Sequence, residues 1–353
     1  MFKDLTIEEL FALQAKGPHT FIDVRSPREF HEATIPGSIN IPVFDDTERA
    51  EIGTLYKQVG QEVAKERGLE IFSKKLPDFI GAFKQINTPM TVFCWRGGMR
   101  SKTAATVLDL MGIHTTRLTG GVRTFRQWVV HELEQEDFPP TFVVLNGYTG
   151  SGKTAILKKL TDKGFPGLDL ENMAGHRGSI FGQIGLEPSN QKKFDSLLVH
   201  ELVRLKHEPY VFIEGESRRI GKVSMPQFLF DKKENGIQIS VHLPIKERVN
   251  NILADYEPQK CPEHFQLAFQ IIKKRLHTPI AKQIEDDLAM GAFASATKLL
   301  LEHYYDPRYE HSCNQIAENG HVYITANNVD DAFQQLLHSI ETITVPQISR
   351  KFV

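Results

Sequence analysis

The amino-acid sequence predicts two α/β domains in tandem, the second of which carries a helical annex. Three observations lead to this expectation. Strand-like apolar runs alternate with helix-like segments on both sides of an acidic stretch that ends in two prolines, residues 131–140. One run in the first half ends in a cysteine and leads into a loop that contains Gly-Gly. The first run of the second half leads into a glycine-rich loop. Such alternation is typical of parallel sheets covered by helices.

Length and composition are those of a two-domain globular protein. The chain has 353 residues, of which 41% are hydrophobic and 24% charged, and its net charge is −2. The whole chain therefore attracts nucleic acid weakly, and binding would need a local basic patch. No apolar run approaches the ~18 residues of a membrane span, and the first ten residues lack a secretory signal's apolar core. We expect no membrane partner.

The cysteines indicate the compartment. Cys94, Cys261 and Cys313 are odd in number and widely spaced, so we do not expect a disulfide framework. We expect the protein to work in a reducing cytoplasm. His264 follows Cys261 by three residues, but one such pair is a weak signal, and Cys313 offers no stronger one, so we expect no zinc site.

The first domain is expected over residues 1–135. A helical insertion between its strands is predicted at about 47–86. The remaining elements are strands at about 20–24, 39–42, 90–94 and 115–118, and helices at about 101–111 and 122–135.

The second domain is expected over residues 141–353. Its strands are predicted at 141–146, 167–170, 210–214, 237–243 and 321–325, and a closing helix near 329–343. Residues 246–312 show no strand pattern and are predicted to form the helical annex.

The cysteine loop is the first chemical signal. Residues 94–101 read CWRGGMRS, and they lie between an apolar strand and a helix. A cysteine at such a point is surrounded by backbone N–H groups at a helix N-terminus, and Arg96 and Arg100 add positive charge, so the thiolate is favoured over the thiol. We predict that Cys94 is a nucleophile, with the two arginines as catalytic partners; the alternative is a buried structural cysteine.

The segment upstream carries a family resemblance. Residues 21–42, FIDVRSPREFHEATIPGSINIP, resemble the signature of the rhodanese family. The resemblance implies a rhodanese-like fold in which Asp23 and Arg25 are structural and Cys94 carries sulfur or selenium. The loop from Cys94 to Arg100 counts seven residues, as in the rhodanese-fold phosphatases, whereas sulfurtransferase loops have six. This argues against a plain thiosulfate sulfurtransferase.

The glycine-rich loop is the second chemical signal. Residues 147–154, GYTGSGKT, match the P-loop pattern without a mismatch, and a predicted strand and helix flank them. We expect the whole loop to bind phosphate or diphosphate: Gly147, Tyr148, Thr149, Gly150, Ser151, Gly152, Lys153 and Thr154. Lys153 would neutralise charge, and Thr154 is a candidate Mg²⁺ ligand; no tightly bound cofactor is expected.

Two acidic residues are candidates for the same site. Glu214 ends the apolar run 210–214 where P-loop domains hold their metal, and Asp169 lies toward the end of the second predicted strand, 167–170. The basic loop 175–179, GHRGS, is either an anion contact or a turn. Arg218, Arg219 and Lys222 form a candidate RNA-binding patch, for which the alternative is a solvated surface.

The combination resembles one family across nearly the whole chain. A rhodanese-like domain followed by a P-loop domain, together with GTLYKQ at 53–58 and EGESRR at 214–219, is similar to the bacterial tRNA 2-selenouridine synthases. The resemblance implies a transferase that acts on 2-thiouridine at tRNA wobble position 34. Geranyl diphosphate would alkylate the sulfur, and selenium from selenophosphate would then replace the S-geranyl group. The implied partners are tRNA and a selenophosphate synthetase.

Two other classes of function remain open from the residues. One is a sulfurtransferase or phosphatase fused to a nucleotide kinase or ATPase. The other is a non-catalytic tRNA-binding protein switched by nucleotide, which would tolerate loss of Cys94.

Overall fold

The computed structural model describes residues 2–308 and 321–342. The chain forms two compact units that divide between Gln135 and Glu136, and the short segment Asp195–His200 groups with the first. Each unit is built on its own sheet. Cys313, residues 309–312 of the predicted annex, and position 343 at the end of the predicted closing helix lie outside the described residues.

The first unit contains a five-stranded parallel sheet in the order β1-β5-β4-β2-β3. Its strands are β1 Lys3–Leu5, β2 Thr20–Asp23, β3 Ile39–Asn40, β4 Met90–Phe93 and β5 Thr116–Leu118. Four of them lie where the sequence predicts strands. Edge strand β1 was not predicted, because three residues are too few to show an alternating pattern.

Six helices surround this sheet: α1 Ile7–Gln14, α2 Pro27–Glu32, α3 Asp46–Gln58, α4 Gln61–Lys84, α5 Met99–Leu110 and α6 Gly121–Glu134. The predicted insertion consists of α3 and α4. Helix α3 begins at a capping box in which Asp45 accepts from the Glu48 N–H and the Glu48 carboxylate accepts from the Asp45 N–H. Helix α4 buries Phe72, Phe79 and Phe83 on one face.

A buried ion pair follows β2. Asp23 and Arg25 are 0% and 3% exposed in their side chains, and Arg25 Nη2 lies 2.6 Å from Asp23 Oδ2. Arg25 also donates to the Ala33 carbonyl at 2.6 Å, and Thr34 donates to Asp23 at 2.8 Å. Because each charge has several hydrogen-bond partners, burial is tolerated. The pair is in the structural place that the rhodanese resemblance implies.

The second unit contains a parallel sheet in the order β12-β11-β6-β8-β7 and a separate antiparallel hairpin, β9-β10. The strands are β6 Thr141–Asn146, β7 Gly167–Leu168, β8 Tyr210–Glu214, β9 Arg219–Ile220, β10 Val223–Ser224, β11 Ile237–His242 and β12 His321–Thr325. All five predicted strands are present. Strand β7 is shorter than expected because Asp169 caps a helix instead of continuing the strand.

The helices that follow residue 136 are α7 Lys153–Asp162, α8 Leu170–Ala174, α9 Gln191–Leu205, α10 Gln227–Glu234, α11 Ile245–Tyr256, α12 Pro262–Ile272, α13 Thr278–Ala289, α14 Phe293–Leu300 and α15 Val329–Thr342. Helices α11 to α14 form the predicted annex, whose core includes Phe265, Phe269 and Ile284. Over the described ranges, the chain contains no helix with the length and apolar character that a membrane crossing requires.

Candidate active sites

Cys94 comes directly after β4 and is buried, with 3% of its surface exposed. Its Sγ lies 3.2 Å from the Oγ of Ser101 in the first turn of α5, and its carbonyl accepts from the Val122 N–H at 2.9 Å. The first turn of a helix carries unpaired N–H groups and a partial positive charge. A thiolate at this point would be stabilised by that charge and by the Ser101 hydroxyl.

Three glycines give the cysteine loop its shape. Gly97, Gly120 and Gly121 have φ of +61°, +73° and +60°. A Cβ on Gly121 would lie 2.0 Å from the Cys94 carbonyl oxygen, and one on Gly97 would lie 2.8 Å from the Gly120 nitrogen. No side chain fits at either place. The second glycine pair, Gly120-Gly121, was not predicted, although Gly-Gly at the start of a helix is a usable signal.

The two predicted arginines differ in their surroundings. Arg96 is exposed and lies beside Cys94 on the wall of a cavity. Arg100 lines the same cavity, but its guanidinium forms a two-pronged ion pair with Glu29. Arg100 therefore also fixes α2 to α5, a structural role that the sequence did not predict.

A third arginine, which the sequence analysis missed, supports the loop. Arg117 donates to the Gly97 carbonyl at 2.6 Å and pairs with Asp4. The hydrogen bond and charge of Asp4 raise the pKa of Arg117, and a negative charge on Cys94 would add to this effect. A permanent cation thus lies within electrostatic reach of Cys94.

The cavity beside Cys94 has a volume of about 1020 Å³. Helices α3 and α4 form one wall, with Ile52, Leu69 and Phe72, and the cysteine loop forms the other. The predicted insertion thus provides one side of a large pocket next to the candidate nucleophile.

The phosphate loop occupies the turn from β6 to α7. Gly147, Gly150 and Gly152 have φ of +151°, +80° and +77°. A Cβ on Gly147 would lie 2.4 Å from the Ser151 Oγ, and one on Gly150 would lie 2.6 Å from a backbone carbonyl. Lys153 reaches back across the loop, with its Nζ 3.1 Å from the Gly147 carbonyl. This arrangement can hold a phosphate group between amides and an ammonium group.

Helix α11 supports the loop from outside. Arg248 donates to the Thr149 carbonyl and Asn251 donates to the Gly150 carbonyl, each at 2.9 Å. The guanidinium of Arg248 also pairs with Asp306, at 2.6 Å and 2.9 Å, and lies over the ring of Tyr148. Neither residue was predicted, since no local pattern links positions about a hundred residues apart.

Thr154 joins the loop to two carboxyl groups. Its Oγ1 lies 2.6 Å from Glu214 Oε1 and 2.9 Å from Glu171 Oε2. Burial, and next the charge of Glu216, raise the pKa of Glu171 to about 7. Burial, and next the charge of Glu171, raise the pKa of Glu214 well above its usual range. Glu171 and Glu216 were not predicted from the sequence.

Asp169 lies at the edge of this acidic cluster. It caps α8 by accepting from the Asn172 N–H at 2.9 Å, and burial raises its own pKa. Its charge contributes to the raised pKa of Glu214. Asp169, which the sequence predicts near the phosphates, therefore interacts electrostatically with Glu214 and also marks the end of β7.

The cluster suits a divalent cation that is shared with a phosphate. The buried carboxyl group of Glu214 and the half-buried one of Glu171 have raised pKa values and lie beside a hydroxyl, and a cation would stabilise their charged forms. Within residues 2–308 and 321–342, no three His, Cys, Asp or Glu side chains could hold a metal by themselves. Mg²⁺ commonly takes one or two carboxylates and completes its shell with substrate phosphates and water. Thr154, Glu214 and Glu171 therefore fit this ion.

The predicted RNA patch forms one hairpin after β8. Arg218, Arg219 and Lys222 are all exposed on it. Arg218 pairs with Met225 through its backbone, and the Arg219 Nε lies 3.3 Å from the Gly221 carbonyl. The structure thus places all three exposed cations on one hairpin, whereas the sequence showed only that they are near one another along the chain.

The basic loop 175–179 is a turn, and the guanidinium of its arginine is bound by groups of the protein. Arg177 donates to the carbonyls of Ile184 and Asp255, at 2.9 Å and 3.0 Å, and lies 4.7 Å from the ring centre of Tyr256. This geometry favours the turn over the anion contact.

Comparisons with known proteins find a matching protein family for each half of the chain. Residues 6–127 match the model of the rhodanese-like domain, and residues 140–340 match that of the tRNA 2-selenouridine synthase AAA domain. Curated tRNA 2-selenouridine synthases are similar over most of their length. The protein from Bdellovibrio bacteriovorus is 30% identical, with 90% of this chain and 94% of that one covered. Those from Nitrosomonas europaea (31%; 87% and 92%) and Aeromonas salmonicida (33%; 82% and 85%) are comparable.

The fold and the two loops define a transferase-type enzyme that joins a rhodanese-like domain to a P-loop domain. More specifically, the chain belongs to the tRNA 2-selenouridine synthase family.

Proposed function

We propose that the chain converts 2-thiouridine at tRNA wobble position 34 to 2-selenouridine in two steps, in a reducing cytoplasm. The observation that most supports this proposal is that one chain of this family contains both a loop suited to diphosphate, residues 147–154, and a buried thiol, Cys94, beside an apolar cavity. Each feature suits one step. The first step makes the sulfur a leaving group, and the second replaces it.

The first step is an alkylation at sulfur. The 2-thio sulfur attacks C1 of geranyl diphosphate, the C1–O bond breaks, diphosphate leaves, and the N3 proton passes to solvent. The loop amides and Lys153 receive the negative charge that develops on the leaving diphosphate. Thr154, Glu214 and Glu171 would hold Mg²⁺, which neutralises diphosphate charge when bound.

The second step is a displacement at C2 of the alkylated base. Selenium from selenophosphate forms a bond to C2, the C2–S bond breaks, and the geranyl thiolate leaves and takes up a proton. Water then cleaves the Se–P bond, which releases phosphate. Cys94 serves this step, either as a nucleophile at C2 that selenium later displaces or as the thiol that shields the selenium anion. A selenophosphate synthetase is the partner that supplies the selenium donor.

The test is a reconstitution with the full chain. The protein is incubated with 2-thiouridine tRNA and geranyl diphosphate, then with selenophosphate, and the nucleosides are measured by mass spectrometry. We expect S-geranyl-2-thiouridine first and 2-selenouridine only after selenophosphate is added. Hydrolysis of aryl phosphates, or ATP turnover without tRNA, in place of these products would favour a phosphatase or sulfurtransferase fused to a kinase.

The basic hairpin leads to a prediction about tRNA binding. Replacing Arg218, Arg219 and Lys222 together with alanine should weaken binding and flatten its dependence on salt, because fewer counterions are released when phosphate contacts are lost. The measurement is tRNA affinity at several salt concentrations.

A matched control removes the same charge elsewhere on the second unit. Alanine at the exposed residues Lys158, Lys163 and Lys246 should leave the slope near that of the unchanged protein. If the two triple variants have equal slopes, the hairpin does not lie on the RNA path.

A further inference from the structure

The cavity in the first unit has a strongly apolar inner wall. Ile52 and Leu69 of the insertion face it, together with Phe72 and, from the cysteine loop, Trp95 and Met99. Leu69 is 67% exposed to solvent. Large apolar side chains that remain exposed around a concavity mark a binding site, and a volume of about 1020 Å³ is at the upper end of small-ligand pockets.

The charged side chains that line the cavity are all cationic. Five cations line it, namely Arg49, Lys57, Lys65, Arg96 and Arg100, and no acidic side chain is among the described residues of its lining. Arg49 and Arg100 share Glu29, and Lys65 pairs with Glu62. Arg96 belongs to the cysteine loop and Lys57 to the last turn of α3. The occupant should therefore combine an apolar part with a negatively charged part.

The thiol limits what that occupant can be. Cys94 lies on the cavity wall although only 3% of it is exposed. A molecule that fills the cavity can therefore bring its reacting atom to the sulfur. An S-alkylated nucleoside within an RNA strand has the required parts: a hydrocarbon chain, an electrophilic carbon one bond from its sulfur, and flanking phosphates.

We propose that this cavity binds the S-geranyl chain of the alkylated RNA, with the surrounding cations near the adjoining phosphates and C2 of the base toward Cys94. The inference rests on the proposed function and adds a binding site to its second step. Helices α3 and α4 are then the elements that select the length of the chain, and the P-loop unit is not required for that selection.

The test measures binding before any selenium is supplied. Anticodon stem-loop RNAs carrying S-geranyl or S-methyl 2-thiouridine are titrated into the full-length protein, and Trp95 on the cavity wall reports by its fluorescence. The unchanged protein should bind the S-geranyl RNA at least ~100-fold more tightly, because each buried CH₂ group contributes about 0.8 kcal/mol. Leu69→Glu should reduce this preference at least ~10-fold.

Val63→Glu is the matched control. Val63 lies on the same helix, is 42% exposed, and is not part of the cavity lining, so its substitution should keep the full preference. Equal affinity of the unchanged protein for both RNAs would overturn the proposal. So would a Leu69→Glu preference equal to that of Val63→Glu, or an equal loss for both RNAs, which would indicate general damage or a protein partner on this surface.

Failure of the reaction is distinguishable from failure of this site. If the preference for S-geranyl RNA is present and lost in Leu69→Glu, but selenophosphate yields no 2-selenouridine, the cavity assignment is supported and the proposed second step is wrong. If 2-selenouridine forms while S-geranyl and S-methyl RNA bind equally, the reaction is supported and the cavity assignment is wrong.

Discussion

Lys153→Ala protein is expected to form neither S-geranyl-2-thiouridine nor 2-selenouridine from 2-thiouridine tRNA. The ammonium group lies over the phosphate loop, 3.1 Å from the Gly147 carbonyl, where the leaving diphosphate would gain charge. Removing one such electrostatic contact commonly lowers a rate ~100- to 1000-fold. The first step should fall by at least ~100-fold as measured by mass spectrometry of nucleosides, with the fold retained by circular dichroism.

Two comparisons isolate the cause of that loss. Lys158→Ala, on the exposed side of α7, removes the same charge away from the loop and should react normally. Thr154→Ala should also lose alkylation, whereas Thr154→Ser keeps the hydroxyl beside Glu214 and Glu171 and should retain most of it. Normal geranylation by Lys153→Ala protein would overturn the assignment of the P-loop to this step.

Cys94→Ser protein should accumulate S-geranyl-2-thiouridine tRNA and make no detectable 2-selenouridine. Alkylation needs an oriented diphosphate and the substrate sulfur, but no enzyme thiolate. A serine hydroxyl stays protonated near neutral pH, so it cannot replace a thiolate nucleophile beside Ser101. We expect the second step to fall at least ~1000-fold, as for other removed nucleophiles. The measurement is the time course of both nucleosides.

Cys261→Ser is the control for this substitution, because Cys261 is a half-buried free cysteine before α12, remote from either loop in sequence. It should behave like the unchanged protein, and we expect the same of Cys313→Ser. Normal selenouridine formation by Cys94→Ser would make the cysteine structural. Failure at geranylation would mean that both steps share one site, contrary to the proposed division.

The sequence predicted the parts of each site that are contiguous along the chain. Cys94 and Lys153 each lie in a strand–loop–helix segment, where the loop residues are sequence neighbours and the pattern is local. The elements that were missed are those without a period, such as the three-residue strand β1 and the two-residue strands of the β9-β10 hairpin. Too few side chains alternate there to reveal a strand.

The supporting residues could not be predicted for a different reason. Arg248 and Asn251 reach the phosphate loop from α11, and Arg117 reaches the cysteine loop from β5. Their placement depends on how the elements pack, and single arginines or asparagines carry no local signature. Arg100 shows the reverse case: its position beside Cys94 follows from the sequence, but its pairing with Glu29 depends on where α2 lies.

The interlocked glycines of the cysteine loop affect the thermodynamics of binding. Gly97 and Gly121 lie so close to neighbouring backbone atoms that a Cβ at either position would clash, so only glycine allows this packing. The backbone conformational entropy lost in forming this packing is part of the free energy of folding. It does not have to be lost again when substrate binds. Glycine, the residue usually associated with mobility, is here the residue that allows the folded backbone to pack closely around Cys94.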